Sequence, residues 1–512
     1  MGMILDQYGQ PMAGSDAVQY NLKRQLISLR RELAKARYDA AQTVVDNQNH
    51  WSNADNLDPH QAASPEVRRR LRSRSRYEVL ENNPYLKGTV LTITNDFVGT
   101  GPILRVSDKR ISKEARELIE YRWRHWARAV KLRNLIWRLR MGKIIDGESF
   151  AIAYVSNRVR DPIPLNFMVV EPDQVSSASV YPAPKNENEF EIDGVRFDKF
   201  MVPTQYHVLN RHPGADSFWN LFRNDREGKW ISANRVLHWF RKDRGWLRGI
   251  PETAPSLPLC ALLRRYTLAT VQHAEVAADL TAILETEGPA LPGKWGDQKG
   301  TEDDPFDVFP IERGSMMNLP WGYKLKQLEA VPLGDQYDAF VGALLREITR
   351  PLLSVAHISA GTSKDSNMSS TVVDQHIYKG GQWAERRDCN EQVMDSIYDQ
   401  WWQFGIRTDD YFTSPVTGGG KFLVDNPSLK EYPPEHEWGW DNIGLDHTDP
   451  QKVAESLAIL HNKRFLTDRD IQEIFYNKDV DEWREQVLED DEFRKKLTPF
   501  DQKEQQSTRV ED

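Results

Sequence analysis

The segment that most restricts what this chain can fold into is PLCALLRRYTLATVQHAEVAADLTAILET, residues 258–286, a run without internal proline or glycine. Its composition predicts a helix over 258–286, about 42 Å long at ~1.5 Å per residue. It is only moderately apolar, so a small core cannot bury it. It suits packing beside copies of itself or a partner. The stretch that follows, 287–334, is rich in Gly and Pro with short β-like pieces, which predicts a small excursion from the end of that helix. The chain is then expected to return through a second helix, 335–350, DQYDAFVGALLREITR, interrupted at Pro351.

The rest reads in sections. Residues 17–46 are helical in pattern and 47–65 form a polar linker. In 82–104, Asn83 and Pro84 predict a helix start, Gly99 and Gly101 its end, and PILRV a strand. Residues 112–140 are expected to form one helix whose Trp123, Trp126 and Trp137 serve a core. From about 143 to 240, short β-rich pieces (SFAIAYV, PLNFMVVEP, EFEIDGVRFD, FMVPTQYHVLN, RVLHWF) separated by turn residues predict an antiparallel sheet, and so an α+β fold. A loop is expected at 357–370. A helix is expected over 371–404, with Ser369 and Ser370 as N-cap candidates. Residues 405–447 read as loop-rich, and 449–512 as helical in pieces.

Charge and cysteine content narrow the class. The 512 residues carry a net charge of −9, and residues 468–512, with 15 acidic and 8 basic side chains, hold −7 of it. That leaves no basic domain of the kind a dedicated nucleic-acid binder shows. Two cysteines, Cys260 and Cys389, exclude a disulfide scaffold or a Cys-based zinc module and favour a reducing, cytosolic origin. The start, MGMILDQYGQPMAG, lacks the basic and apolar regions of a signal peptide. Asp6 stands where myristoylation wants Ser or Thr. No apolar run approaches the roughly 18 residues a membrane span needs, so no membrane partner is expected. The one basic concentration is EVRRRLRSRSR, residues 66–76, with six Arg against one Glu. Taken alone it reads as a solvated or partner-binding arm rather than a nucleic-acid site.

Catalytic patterns are scarce. Gly420–Lys421 is followed by Phe422 and preceded by Pro415, so it fails as a phosphate loop at both ends. Asp146 and Glu148 in DGESF read as turn residues before metal ligands. His207 and His212 lack a third ligand at recognisable spacing and read as structural. No His-Glu-x-x-His and no Gly-x-Ser-x-Gly occurs. No catalytic residue, metal or cofactor is expected. A metal-dependent DNA-processing enzyme would need a carboxylate or histidine cluster that cannot be assembled here. A non-viral scaffolding or adaptor protein would lack a central channel.

Six short motifs in order resemble the portal proteins of tailed bacteriophages, lambda-like branch. NNPYLKGTVLTITNDFVGTGPIL (82–104) is similar to that family's NNP…VVGTG segment. DGESFA (146–151), YHVLNRHPG (206–214) and RVLHWFRKDRGWLRGIPETAP (235–255) resemble its next three elements. NMSS (367–370) is similar to its NYSS, with Met368 for Tyr, and DHTDPQK (446–452) resembles its late VDP-K element. The matches span about three quarters of the chain, from about 70 to 455. The family's GVPYE has no counterpart in LLSVAHISAG, so the shape of the tunnel loop is not implied.

The resemblance implies an architecture. After an N-terminal helix and linker (1–65) would come an α+β wing (66–257). A first stem helix (258–286), a clip (287–334) and a second stem helix (335–353) would follow. The tunnel loop and long wing helix would occupy 354–448, and an α-helical crown with its acidic tail 449–512. It implies a homo-dodecameric ring at one capsid vertex of the virion, assembled in the host cytoplasm. Double-stranded DNA would pass through it in packaging and ejection. Its partners would be the terminase large subunit, then head-tail adaptor or completion proteins, with the major capsid and scaffold proteins around it. A conduit must not hold DNA tightly, since each neutralised phosphate adds affinity. Lys364, on the tunnel loop, is the candidate for a transient ring of positive charge, against the alternative of an ordinary solvated lysine. Arg346 and Arg350 on the second stem helix are expected to pair across subunits. In the clip, Lys294, Trp295, Asp297 and Lys299 form an exposed polar loop. Trp295 there is either a partner anchor or packs within the clip. The Arg run would face a neighbouring subunit, capsid protein or DNA.

Overall fold

The computed structural model describes residues 22–27, 54, 56–177, 189–215, 227–245, 247–279, 283–286, 323–326, 334–361, 368–409, 412, 423, 425–440, 450–463, 487–488 and 492. The chain divides into two units, Met1–Ala62 and Ala63–Asp512. In the first, 22–27 and Pro59–Ala62 are helical. The long helix expected over 17–46 lies mostly outside the described residues.

The second unit opens with α1, Pro65–Arg76, started by Pro65 behind Ser64, whose hydroxyl accepts the amide of Val67. A π-helical turn, Tyr77–Asn82, joins it to α2, Pro84–Val98. Asn83 caps α2 by accepting the Leu86 amide at 3.1 Å, and Gly99 ends it with φ 52°. Both ends fall where the sequence predicts. Strand β1, Ile103–Val106, follows.

The single helix expected over 112–140 is instead two, α3, Lys113–Ala129, and α4, Leu132–Asp146. The chain turns at Lys131, which takes the left-handed conformation (φ 56°) usually left to glycine. No glycine or proline marks the break. Burial enforces it: Trp123 and Trp126 on one side and Leu132, Ile136 and Leu139 on the other are all drawn into one core.

The strands that follow within 66–257, the span expected to be the wing, are all antiparallel. In chain order they are β2 (Glu148–Val155), β3 (Leu165–Val170), β4 (Phe190–Ile192), β5 (Val195–Phe197), β6 (Pro203–Leu209), β7 (Gly228–Ser232) and β8 (Val236–Phe240). They form a three-stranded sheet, β3-β2-β8, and a four-stranded one, β4-β5-β6-β7, bridged between Val175 and Val208. Phe150 opposes Val170 on one side and His238 on the other. The strand β7, GKWIS, was not anticipated, because its Gly, Lys and Ser dilute the β signal. Gly147, between α4 and β2, has φ +84°, and a Cβ there would lie 2.0 Å from the backbone carbon of Ile250. Only glycine fits that turn.

Helix α5, Leu257–Asp279, is shorter than the expected 258–286. Residues Ile283–Thr286 instead form β9, paired antiparallel with β10, Tyr323–Lys326. Ile283 and Thr286 are β-branched, which suits the strand. Helix α6, Gly334–Thr349, lies where predicted. A short helix, Ala356–Ala360, occupies part of the expected loop and ends at Gly361. Helix α7, Met368–Cys389, starts before Ser369 and Ser370, which therefore lie inside its first turn. A π-helical stretch, Asn390–Met394, leads into α8, Asp395–Thr408. Strand β11, His436–Gly439, returns to pair with β1, and α9 is Pro450–Asn462.

Besides the cluster of strand residues that holds Phe150, Val170, Val195, Phe197 and Tyr206, two cores position the helices. One is aromatic: Trp123, Trp126, Tyr398, Trp401 and Trp402 are buried together, with Trp123 5.0 Å from Trp126 and 5.3 Å from Trp401. Each such ring removes ~150–250 Å² from water, which is where the unusual Trp content is spent. The other lies under α5 and α6 and holds Cys260, Leu263, Val341, Leu345 and Ile348 against Val90 and Ile93 of α2.

Candidate functional site

The exposed apolar faces among the described residues include those of α5, α6 and α7, and a buried ionic cluster holds α1 against the sheets. Helices α5 and α6 pack inward through Cys260, Leu263, Val341 and Leu345, and Tyr266 stacks on Tyr337 at 5.8 Å. Their other faces are open: Leu262, Leu268, Val271 and Phe340 are each about half exposed. Arg346 and Arg350 lie on the outer face of α6 and its end, both exposed. Neither pairs with an acid among the described residues. On α7, Val372, Val373, His376, Ile377, Trp383 and Arg387 follow helical spacing along one exposed face, with Trp383 60 % exposed. The sequence reading did not single out this face, although its i, i+4 spacing was visible. Lys364, Lys294, Trp295, Asp297 and Lys299 lie outside the described residues.

The arginine run is the main correction. Arg68, Arg72 and Arg76 are four residues apart, so α1 puts them on one face, and that face is buried. Arg68 pairs with Asp193 at 2.7 Å. Arg72 bonds Glu148 and, at 3.1 Å, Asp173. Arg76 reaches Asp146 and Asp173, each at 2.7 Å. Arg248 comes from the other side to Glu148 at 2.7 Å, and the Gly249 amide donates to the same carboxylate at 3.0 Å. Arg68, Arg72 and Arg248 are each 1 % exposed. Only Arg69, Arg70 and Arg74 of the run remain open to solvent. Half the run is thus the charged core of the wing rather than a solvated arm. Its acids lie some 70–125 residues away in sequence, so no local pattern announced them.

Asp146 and Glu148 accordingly serve the arginines. Burial alone would raise Glu148, but Arg248, Arg72 and the His238 hydrogen bond hold its carboxyl well below the usual range. Asp193 and Asp173 are likewise lowered against their burial by neighbouring guanidiniums. Asp146 goes the other way, raised by burial despite Arg76. His238, between Glu148 (3.0 Å) and the Tyr206 hydroxyl (3.2 Å), is pushed down to about 4 by burial. Its neutral ring donates through Nε2 to the carboxylate and accepts through Nδ1 from the tyrosine.

A second network ties α4 to α7. Arg140 bonds Glu252 at 3.0 Å. Lys143 reaches Glu385 at 2.6 Å and Asp388 at 3.1 Å, and Arg241 adds a contact to Glu385 at 2.8 Å. These buried charges fix the root of α7 against the wing.

Of the expected structural histidines, His207 is buried with Nδ1 2.6 Å from the Ser176 carbonyl. His212 lies 3.1 Å from Glu171. Glu171, Asp173 and His212 bring ligand atoms within 4.8 Å of one another. Asp173 already faces Arg72 and Arg76, so a cation there would meet two guanidiniums. The thiols offer no nucleophile: burial pushes Cys260 up to about 12 and raises Cys389 further.

Residues 46–371, well over half of the chain, match the family model for phage portal proteins of the lambda family. The chain belongs to the lambda family of phage portal proteins. The matched span takes in the wing, both helices α5 and α6, and the segment between them. No curated protein matches the chain. Among solved structures it is similar to chains of gene transfer agent (GTA) particles. One, from the neck of an empty particle computed with C6 symmetry, shares 11 % identity over 79 % of this chain and 92 % of that one, TM-score 0.42. Another, from the virion of a native particle, shares 10 % over 78 % and 92 %, TM-score 0.39. A third, from a native neck computed with C12 symmetry, shares 10 % over 80 % and 93 %, TM-score 0.40. No helix among the described residues is long and apolar enough to cross a membrane.

Proposed function

We propose that this portal protein is a structural, non-enzymatic subunit that closes into a ring of twelve at one capsid vertex, around a channel for double-stranded DNA. The observation that carries the reading is the family match over 46–371. It is supported by the open outer faces of α5, α6 and α7, which a lone subunit would leave to water. A head-to-tail ring needs two different faces per subunit that are complementary to each other, and these helices supply apolar surface on more than one side. Helices α5 and α6 are the stem, the segment between them the clip, and α7 the wing helix behind the tunnel loop. Arg346 and Arg350 pair across subunits, Lys364 lines the channel transiently, and Lys294, Trp295, Asp297 and Lys299 meet the docking partners. Those partners are the terminase large subunit during packaging and a head-tail adaptor afterwards, within the virion. Negative-stain imaging of the purified full chain tests the reading: closed rings with an axial hole about as wide as duplex DNA are expected, and globular single subunits at every salt concentration, unchanged on co-expression with scaffold and capsid proteins, would overturn it. Within such rings, Lys364→Ala is expected to lower packaging or retention of DNA, and unchanged packaging would remove that residue's role.

A further inference from the structure

Among the described residues, five exposed cations without an ion-pair partner lie on α3, the break after it and the loop between β2 and β3. Arg124 and Arg128 project from the last turns of α3, and Lys131 from the break after it; all three are exposed. Arg158 and Arg160, also exposed, sit on the loop between β2 and β3. Two contacts bring these segments together. His125 Nδ1 meets Asp161 Oδ2 at 2.7 Å, and the Trp126 indole donates to the Leu165 carbonyl at 3.1 Å. Asp161 is the only acid in 121–134 and 156–163. Its carboxylate is 4 % exposed and already bonded to His125 and the Ile163 amide. Among the described residues none of the five cations has an ion-pair partner. Lys131 also holds a left-handed backbone (φ 56°) at the turn after α3.

We infer that this patch, Arg124, Arg128, Lys131, Arg158 and Arg160, binds the phosphate backbone of duplex DNA outside the channel. Five unneutralised cations in a chain of net charge −9 repel one another and call for a polyanion. Four of the five are arginines, whose planar forks fit phosphate oxygens. The residues between them in sequence, Ala127, Ala129, Val130 and Val159, are half-buried, so the surface between the cations is small and recessed. Exposed Tyr121, one turn before Arg124, adds a hydroxyl donor at its edge. The contact carries no base information and reads any sequence. The inference rests on the portal reading for the identity of the polyanion, and on the patch alone for its chemistry.

The test is binding of the full-length protein to a fluorescent 30-base-pair duplex of arbitrary sequence, followed by anisotropy from 50 to 300 mM salt. Each phosphate contact contributes about −0.9 to the slope of log K against log salt. The variant Arg124→Gln/Arg128→Gln/Arg158→Gln/Arg160→Gln is expected to flatten that slope by about 3.6 and to weaken binding at every salt. All four positions are exposed, so the variant should keep the wild-type melting temperature. Native mass of the same samples keeps the two readings apart: wild-type protein that fails to form rings yet loses its salt slope on substitution sinks the portal reading and keeps the patch. An unchanged slope overturns the patch. So does the absence of duplex binding at 50 mM salt, and so does binding of a polyglutamate peptide without binding of duplex, which would assign an acidic protein partner.

Discussion

Replacing Arg72 separates a buried keystone from a solvated basic arm. In Arg72→Ala, a guanidinium that is 1 % exposed is lost from between Glu148 and Asp173. Removing one member of a buried ion pair typically costs about 3–5 kcal/mol. Glu148 keeps Arg248, His238 and the Gly249 amide, and Asp173 keeps Arg76, so the lower end, about 3 kcal/mol, applies. For a cooperative unit the size of the wing, ~2–4 °C is lost per kcal/mol, which predicts a melting temperature about 6–12 °C below wild type. Arg70, two residues earlier in the same run, is exposed with no acid partner among the described residues. Arg70→Ala should stay within about 0.5 kcal/mol. Differential scanning calorimetry at 50 and 500 mM salt measures both. The gap should persist at high salt, since buried pairs are poorly screened. Equal shifts of less than about 2 °C for the two variants would refute the burial argument and return the whole run to solvent.

Stability should also fall with acid in two stages. His238, with a folded value near 4 against 6.5 unfolded, contributes fully above pH 6.5, and its share, at most about 3 kcal/mol, is lost as pH drops from 6.5 to 4. Below that, Glu148, Asp173 and Asp193, held low by arginines, withdraw theirs, whereas Asp146, which is raised, takes its proton above pH 3.8 and offsets part of the first stage instead. Urea titrations across pH 3–8 should show both stages, and His238→Gln should flatten only the first; a slope untouched by that change would refute the assignment. Cys260 and Cys389, both fully buried, should react with no thiol reagent in the native protein and with two equivalents in guanidinium; a fast native thiol would contradict their burial. Gly147→Ala places a methyl 2.0 Å from the Ile250 backbone at φ +84° and should leave the protein insoluble or markedly destabilised, whereas a melting temperature within 2 °C of wild type would show that the turn can relax.

What was legible in the sequence followed the range of the interactions that write it. The start of α2 at Asn83–Pro84 and its end at Gly99 were readable because capping is local. The wing strands were readable where Val, Ile, Phe and Tyr cluster, and β7 was missed because GKWIS does not. The break at Lys131 and the change from helix to strand before Ile283 are tertiary decisions without a glycine or proline to mark them. The four-residue spacing of Arg68, Arg72 and Arg76 was in plain view. Their acids were not, since Asp146, Glu148, Asp173 and Asp193 come from distant turns. The basic patch was half in view, since residues 122–143 hold eight Lys or Arg and no acid, but its link to 158–160 comes only through the His125–Asp161 contact. Arg346 and Arg350 are exposed, which does not test their pairing across subunits, while Lys364, Lys294, Trp295, Asp297 and Lys299 lie outside the described residues.

Ring formation is the claim on which the rest depends, and the native mass of the purified full-length protein tests it most directly. Twelve copies of the 59.2 kDa chain give a species near 710 kDa, and a charge reversal at Arg346 and Arg350 should shift it toward smaller forms. Eleven or thirteen subunits would still be a closed ring. A single species at 59.2 kDa at every concentration and salt, unchanged on co-expression with scaffold and capsid proteins, would contradict the account.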